Sequence, residues 1–104
     1  MEPALTIEVT ATEACTVLAV IGEVDAATAP QLAEAVASAI DAGPAEIELD
    51  CAAMSFIDSS GIRVLIDAWD RIKDRATMQI FVTNLQPGPE RILAICGVHD
   101  LLTR

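Results

Sequence analysis

Apolar residues in this chain switch repeatedly between a two-residue and a 3.6-residue period, and that switching leaves few folds open. Leu5-Thr6-Ile7-Glu8-Val9-Thr10 alternates strictly, as a half-buried strand does. Residues 15–21 are apolar and β-branched, which reads as a strand buried on both faces and closed by Gly22. The two segments are near enough in sequence to form a hairpin. Thr28-Ala29-Pro30-Gln31 has the form of a capping box, and Pro30 falls in a first turn, where its missing amide hydrogen costs little. Leu32, Val36, Ala39 and Ile40 then make a helical stripe that Gly43-Pro44 ends.

Residues 46–50 read as a short strand, and residues 54–57 lead into Asp58-Ser59-Ser60-Gly61. From there Ile62, Leu65, Ile66, Trp69 and Ile72 recur at helical spacing, while Asp67, Asp70 and Lys73 fall off the stripe. Residues 78–82 predict another strand, residues 84–89 a turn, and residues 90–96 a short helix ended by Gly97. Leu101 and Leu102 are expected to return to the core. The order β-β-α-β-α-β-α with short connections predicts an α/β domain whose sheet is at least partly parallel.

A length of 104 residues allows one domain, here taken as residues 1–104, with one modest core. Hydrophobic residues make up 53% and mean hydropathy is +0.47, which excludes disorder. Eighteen of them are alanines, against one Trp, two Phe and no Tyr, which favours close helix–sheet packing over an aromatic platform. Sixteen acidic against six basic side chains give a net charge of −10, which argues against nucleic acid and against anionic membrane surfaces. The longest uncharged apolar stretch, residues 14–22, is about half the length of a spanning helix. Met1-Glu2-Pro3 shows no basic segment of a signal peptide, so a cytoplasmic protein is expected. Cys15, Cys51 and Cys96 are odd in number and widely spaced, and read as buried reduced thiols.

Chemistry has few places to reside. Asp58-Ser59-Ser60-Gly61 opens an amphipathic helix, where Asp58 or Ser59 can serve simply as the N-cap. Alternatively Ser59 is an exposed acceptor for a phosphoryl group, with Gly61 leaving room for a partner's backbone. A nucleophile elbow is absent, because Ile57 and Asp58 stand two positions before the two serines. His99 is the single histidine available as a base, and one His with three scattered Cys makes no zinc site. Gly22-Glu23-Val24-Asp25 follows the buried strand as a turn, which puts Asp25 at the same sheet edge as Ser59. No Gly-rich loop is present to hold a nucleotide. No catalytic residue, metal or cofactor is expected, and the chain is read as a non-enzyme.

Gly22-Glu23-Val24-Asp25 with Thr28-Ala29-Pro30, followed by Met54-Ser55-Phe56-Ile57-Asp58-Ser59-Ser60-Gly61-Ile62, resembles the STAS domain of bacterial anti-sigma factor antagonists. Arg91-Ile92-Leu93-Ala94-Ile95-Cys96-Gly97-Val98 is similar to that family's last helix and its closing Gly. The resemblance runs over nearly the whole chain. It implies a mixed four- to five-stranded sheet with helices packed mainly on one face. It also implies a partner switch: the unmodified protein binds an anti-sigma factor that is a serine kinase, phosphorylation at Ser59 breaks that contact, and a PP2C-type phosphatase resets it. Asp25, Thr28, Asp58, Ser59, Ser60, Gly61 and Arg63 are then the partner-binding residues, on a monomer or weak dimer.

Arg63 stands where many members of the family carry Gly; it is expected to be exposed and to bear on partner choice. The chain ends at Arg104, shortly after its last helix, where many members run on. Other uses of the domain are a subunit or domain of a transporter (a lipid ABC complex or a sulfate transporter) and a stressosome-type scaffold. Ser59 preceded by Asp58 favours the switch over these.

Overall fold

The computed structural model describes residues 3–103; Met1, Glu2 and Arg104, and with them the reading of the N-terminal segment, lie outside the described residues. Strands β1 (Leu5–Ala11) and β2 (Cys15–Val24) form the expected antiparallel hairpin, in register from Leu5 opposite Gly22 to Ala11 opposite Thr16. Helix α1 (Ala29–Ala42) returns the chain to β3 (Glu46–Asp50), which lies parallel to the first half of β2. Strand β4 (Met54–Ile57) then runs parallel to the end of β2, so β3 and β4 occupy successive stretches of that strand. Helix α2 (Ser59–Ile72), strand β5 (Gln79–Thr83) beside β3, and helices α3 (Pro87–Ile95) and α4 (His99–Leu102) complete a five-stranded mixed sheet of order β1-β2-β3-β5.

Strand pairing decides which side chains share a face. Leu18, Leu49 and Val82 are cross-strand neighbours, as are Thr16, Ile47 and Ile80, and all lie under α1 and α2 in one core cluster, apart from the polar Thr16. Leu18, Leu32 and Ile47 are 0–1% exposed, and each such side chain contributes about 1.5–3 kcal/mol of burial free energy. The opposite face carries Glu8, Ala19, Asp50 and Thr83 in one row. Helices α1 and α2 do not cover it, and β2 is therefore buried on one face only: Val17, Ala19 and Ile21 remain half-buried. The expectation of a strand buried on both faces is corrected, since an apolar run records composition and not what lies above each face.

The stripes of α1 and α2 are those the sequence predicts, with Leu32, Val36, Ala39 and Ile40 buried in α1 and Ile62, Leu65 and Ile72 in α2. Gly43 ends α1 in the left-handed conformation at φ 76°. Trp69 is only half-buried and has the Lys73 ammonium 5.4 Å from its ring centroid. Three local expectations change. Residues 54–57 form a strand, not a mere lead-in. α3 starts at Pro87 within the expected turn, because prolines at the first and third positions of a helix sacrifice no helical hydrogen bond. The segment after Gly97 forms the short α4, in which Leu102 is buried while Leu101 is 48% exposed.

The thiols also differ from expectation. Cys51 is buried, Cys15 is intermediate and Cys96 is exposed, all three free. Cys96 sits at the C-cap of α3, beyond the last buried turn. Among the described residues, no three His, Cys, Asp or Glu side chains group closely enough for a metal ion, and no helix is long and apolar enough to cross a membrane.

Candidate functional site

The end of β2 and the start of α2 meet through the backbone. Val24 pairs with Ile57, and the Asp58 amide donates to the Val24 carbonyl at 3.1 Å, which brings Asp25 and Asp58 to one end of the sheet. Gly22 makes this possible. It sits at φ 112° beside a register shift, and a Cβ there would lie 2.2 Å from the Ala4 carbonyl oxygen. Only glycine meets both demands.

Asp58 is the N-cap of α2. With extended backbone at φ −115° and ψ −169°, its Oδ1 accepts the amides of Ser60 at 2.8 Å and Gly61 at 3.4 Å. The carboxylate thus occupies the positive end of the helix dipole and satisfies two amides that lack helical partners. Ser59, the first helical residue, takes no part in the cap and is exposed. Its hydroxyl is open to a protein that approaches the helix end. Ser60 is partly covered.

Gly61 has a different role from the one expected of it. It is buried, and a Cβ there would come within 2.6 Å of both Ile57 Cγ1 and Val24 Cγ1. The space it leaves is taken by the protein's own strands, not by a visitor's backbone. Gly61 lets the first turn of α2 sit directly on β2 and β4, and so sets where Ser59 is held.

Asp25 and Thr28 form a closed loop. Asp25 Oδ1 accepts the amides of Ala27 at 2.9 Å and Thr28 at 3.0 Å, and the Asp25 amide donates to Thr28 Oγ1 at 2.9 Å. Thr28 Oγ1 in turn donates to the Glu23 carbonyl at 2.9 Å. The expected capping box is therefore absent: Thr28 makes no side-chain cap on α1, and Gln31 Nε2 instead donates to the Leu5 carbonyl at 3.2 Å. Asp25 outcompetes the helix for that hydroxyl. Both residues are committed to shaping the loop beside Asp58.

Arg63 is exposed, as expected, and pairs with Asp67 one turn further on at 3.1 Å. It stands four residues after Ser59, on the same helix face. Phe56 is an exposed apolar side chain at the same end of the sheet that motif reading did not single out. It lies opposite Glu23 on β4, one residue before buried Ile57, and is 46% exposed. Its signal was strand alternation: if Ile57 faces inward, Phe56 must face outward.

The family model of the STAS domain matches residues 6–104. No curated protein matches the sequence. Among solved structures, an anti-sigma factor antagonist from Mycobacterium paratuberculosis superimposes with a TM-score of 0.84 at 24% identity, over 94% of this chain and 82% of that one. SpoIIAA, an anti-sigma factor antagonist in its unphosphorylated form, gives 0.76 at 22%, over 96% and 86%. The Bacillus cell fate determinant SpoIIAA in the phosphorylated form gives 0.69 at 23%, over 96% and 89%. These likenesses show the fold. With the family model matching almost from end to end, the chain belongs to the STAS domain family.

Proposed function

We propose that this STAS domain is a partner-switching anti-sigma factor antagonist: unmodified, it holds an anti-sigma factor that is also a serine kinase, and phosphorylation of Ser59 ends that contact. A PP2C-type phosphatase restores the binding form. The chain acts by association and needs no catalytic residue, metal or cofactor of its own, and it works as a monomer or weak dimer in the cytoplasm. Asp25, Thr28, Asp58, Ser59, Ser60 and Arg63 make or shape the contact surface, and Gly61 supports it from beneath.

The observation that carries the reading is the division of labour at the head of α2: Asp58 occupies the helix amides while Ser59 takes no part in the cap and stays exposed. A phosphate on Ser59 adds about −1.5 to −2 charges. It cannot displace into the amides of Ser60 and Gly61, which Asp58 already holds, so its charge projects outward. Within the molecule the helix dipole offsets it by about 0.3–1 kcal/mol, and the fold survives. At a docked surface a misplaced like charge costs several kcal/mol, and about 3 kcal/mol weakens binding on the order of a hundredfold.

The direct test incubates the protein with candidate anti-sigma factor kinases and ATP, then locates the added phosphate by peptide mass spectrometry. Modification at Ser59 is the expected result. Modification at Thr28 alone, or at no position, overturns the proposal.

A further inference from the structure

No strand pairs with the outer edge of β1 among the described residues; Gln31 Nε2 holds the Leu5 carbonyl at one end of it, and the stretch from Ile7 to Ala11 lies beyond that contact. All seven residues of β1 are in register with β2, and the sheet order ends there. Proteins usually blunt such an edge with lysine, proline, a bulge or a very short strand. Residues 5–11 contain no lysine or proline, and their register with β2 is uninterrupted.

One face of that edge borders an apolar groove. Register places Ile7, Val9 and Ala11 on the α1 side, and there α1 presents Ala35, Ser38 and Ala42, side chains too short to fill the gap. The groove measures about 450 Å³, and Val9 is 59% exposed beside it. On the other face of β1 stands Glu8, while Glu34 borders the groove. The charged side chains placed at this edge, Glu8 on β1 and Glu34 in the groove lining, are both acidic, on a chain of net charge −10.

From these features we infer that β1 accepts an extended segment of another protein as an added strand, one that alternates apolar and basic side chains. Strand addition supplies backbone hydrogen bonds, and alternate side chains supply the selectivity. Here one set enters the groove and the other lies over Glu8. A second copy of this chain fits poorly. Antiparallel pairing of two β1 edges about Glu8 would oppose like carboxylates, on a protein of net charge −10. The surface is also separate from Ser59. Val9 pairs with Leu18 in the first half of β2, about 20 Å along the strand from the Val24 end that holds Asp58.

The test uses a labelled, end-blocked octapeptide of alternating lysine and valine, followed by fluorescence anisotropy at low salt. The controls are the same residues arranged in two blocks and an alternating glutamate–valine peptide. The alternating lysine peptide is expected to bind at least about tenfold tighter than either control and to slow hydrogen exchange in β1. Ala35→Phe, which fills the groove, and Glu8→Lys, which reverses the exposed charge, are each expected to weaken binding by about tenfold or more with unchanged circular dichroism. No binding, equal binding of the block peptide, or unaltered binding by both variants overturns the inference. So does a concentration-dependent dimer of the protein that protects the same β1 amides.

Discussion

The carboxylate of Asp58 accepts the backbone amide of Ser60 at 2.8 Å, and the side chain of the residue between them, Ser59, takes no part in that cap. Removing the cap tests that arrangement. Asp58→Ala is expected to lower stability by about 0.5–2 kcal/mol in urea titration, because two first-turn amides lose their acceptor. Asp58→Asn is expected to recover most of the loss, since its side-chain oxygen still accepts.

Charge at position 59 is expected to act on binding and not on folding. Ser59→Ala retains partner affinity and accepts no phosphate. Ser59→Asp folds with stability within about 0.5 kcal/mol of the wild type. Its affinity for the partner falls by tenfold to roughly a hundredfold. Isothermal titration calorimetry of the three proteins against the same anti-sigma factor checks both statements, and equal affinities for wild type and Ser59→Asp would contradict the switch.

Gly61→Ala inserts a methyl 2.6 Å from side-chain carbons of Ile57 and Val24. Overpacking of this kind costs about 1–3 kcal/mol. Chemical denaturation is expected to show that loss. Partner binding is expected to weaken as well, because the first turn of α2 must lift away from the sheet. A substitution at an exposed position would not couple the two effects.

Burial pushes the Cys51 thiol up to about 12, with the neighbouring Asp50 carboxylate adding to the shift. An unfolded thiol ionises near pH 9.0, so between that pH and about 12 the unfolded chain releases a proton that the folded protein keeps. The stabilisation from Cys51 is complete below pH 9 and declines above it by about 1.4 kcal/mol per pH unit. The difference in unfolding free energy between wild type and Cys51→Ala, measured at pH 8 and pH 11, is expected to shift in that direction. At neutral pH a thiol reagent is expected to label Cys96 rapidly and Cys51 only upon unfolding.

Periodicity carried the helices well. The stripes through Leu32 and Val36, and through Ile62 and Leu65, depend on spacing along one element, and spacing is what a sequence displays. What it does not display is the neighbour. Thr28 followed by Gln31 has the form of a capping box, yet its hydroxyl is taken by the Glu23 carbonyl and the Asp25 amide, partners that only the folded loop supplies. Gly61 looks like an opening for a visitor until Val24 is placed beneath it. Residues 15–21 read as doubly buried because nothing in the run itself reveals that the helices lie to one side. The place of Ser59 at a helix start was legible through the motif around it; the exposure of Phe56 was legible only after Ile57 had been assigned to the interior.

β2 holds β3 along its first half and β4 along its second, and the last rung of that ladder is the hydrogen bond from the Asp58 amide to Val24. The loop at Asp25 and the helix start at Ser59 are thus kept at fixed separation by main-chain contacts, for which Gly22 and Gly61 leave the room. Side chains around them, such as Glu23, Ala26, Phe56 and Arg63, are free to vary without displacing the serine. Surface substitution alone therefore changes what this end of the sheet presents while leaving the placement of Ser59 intact.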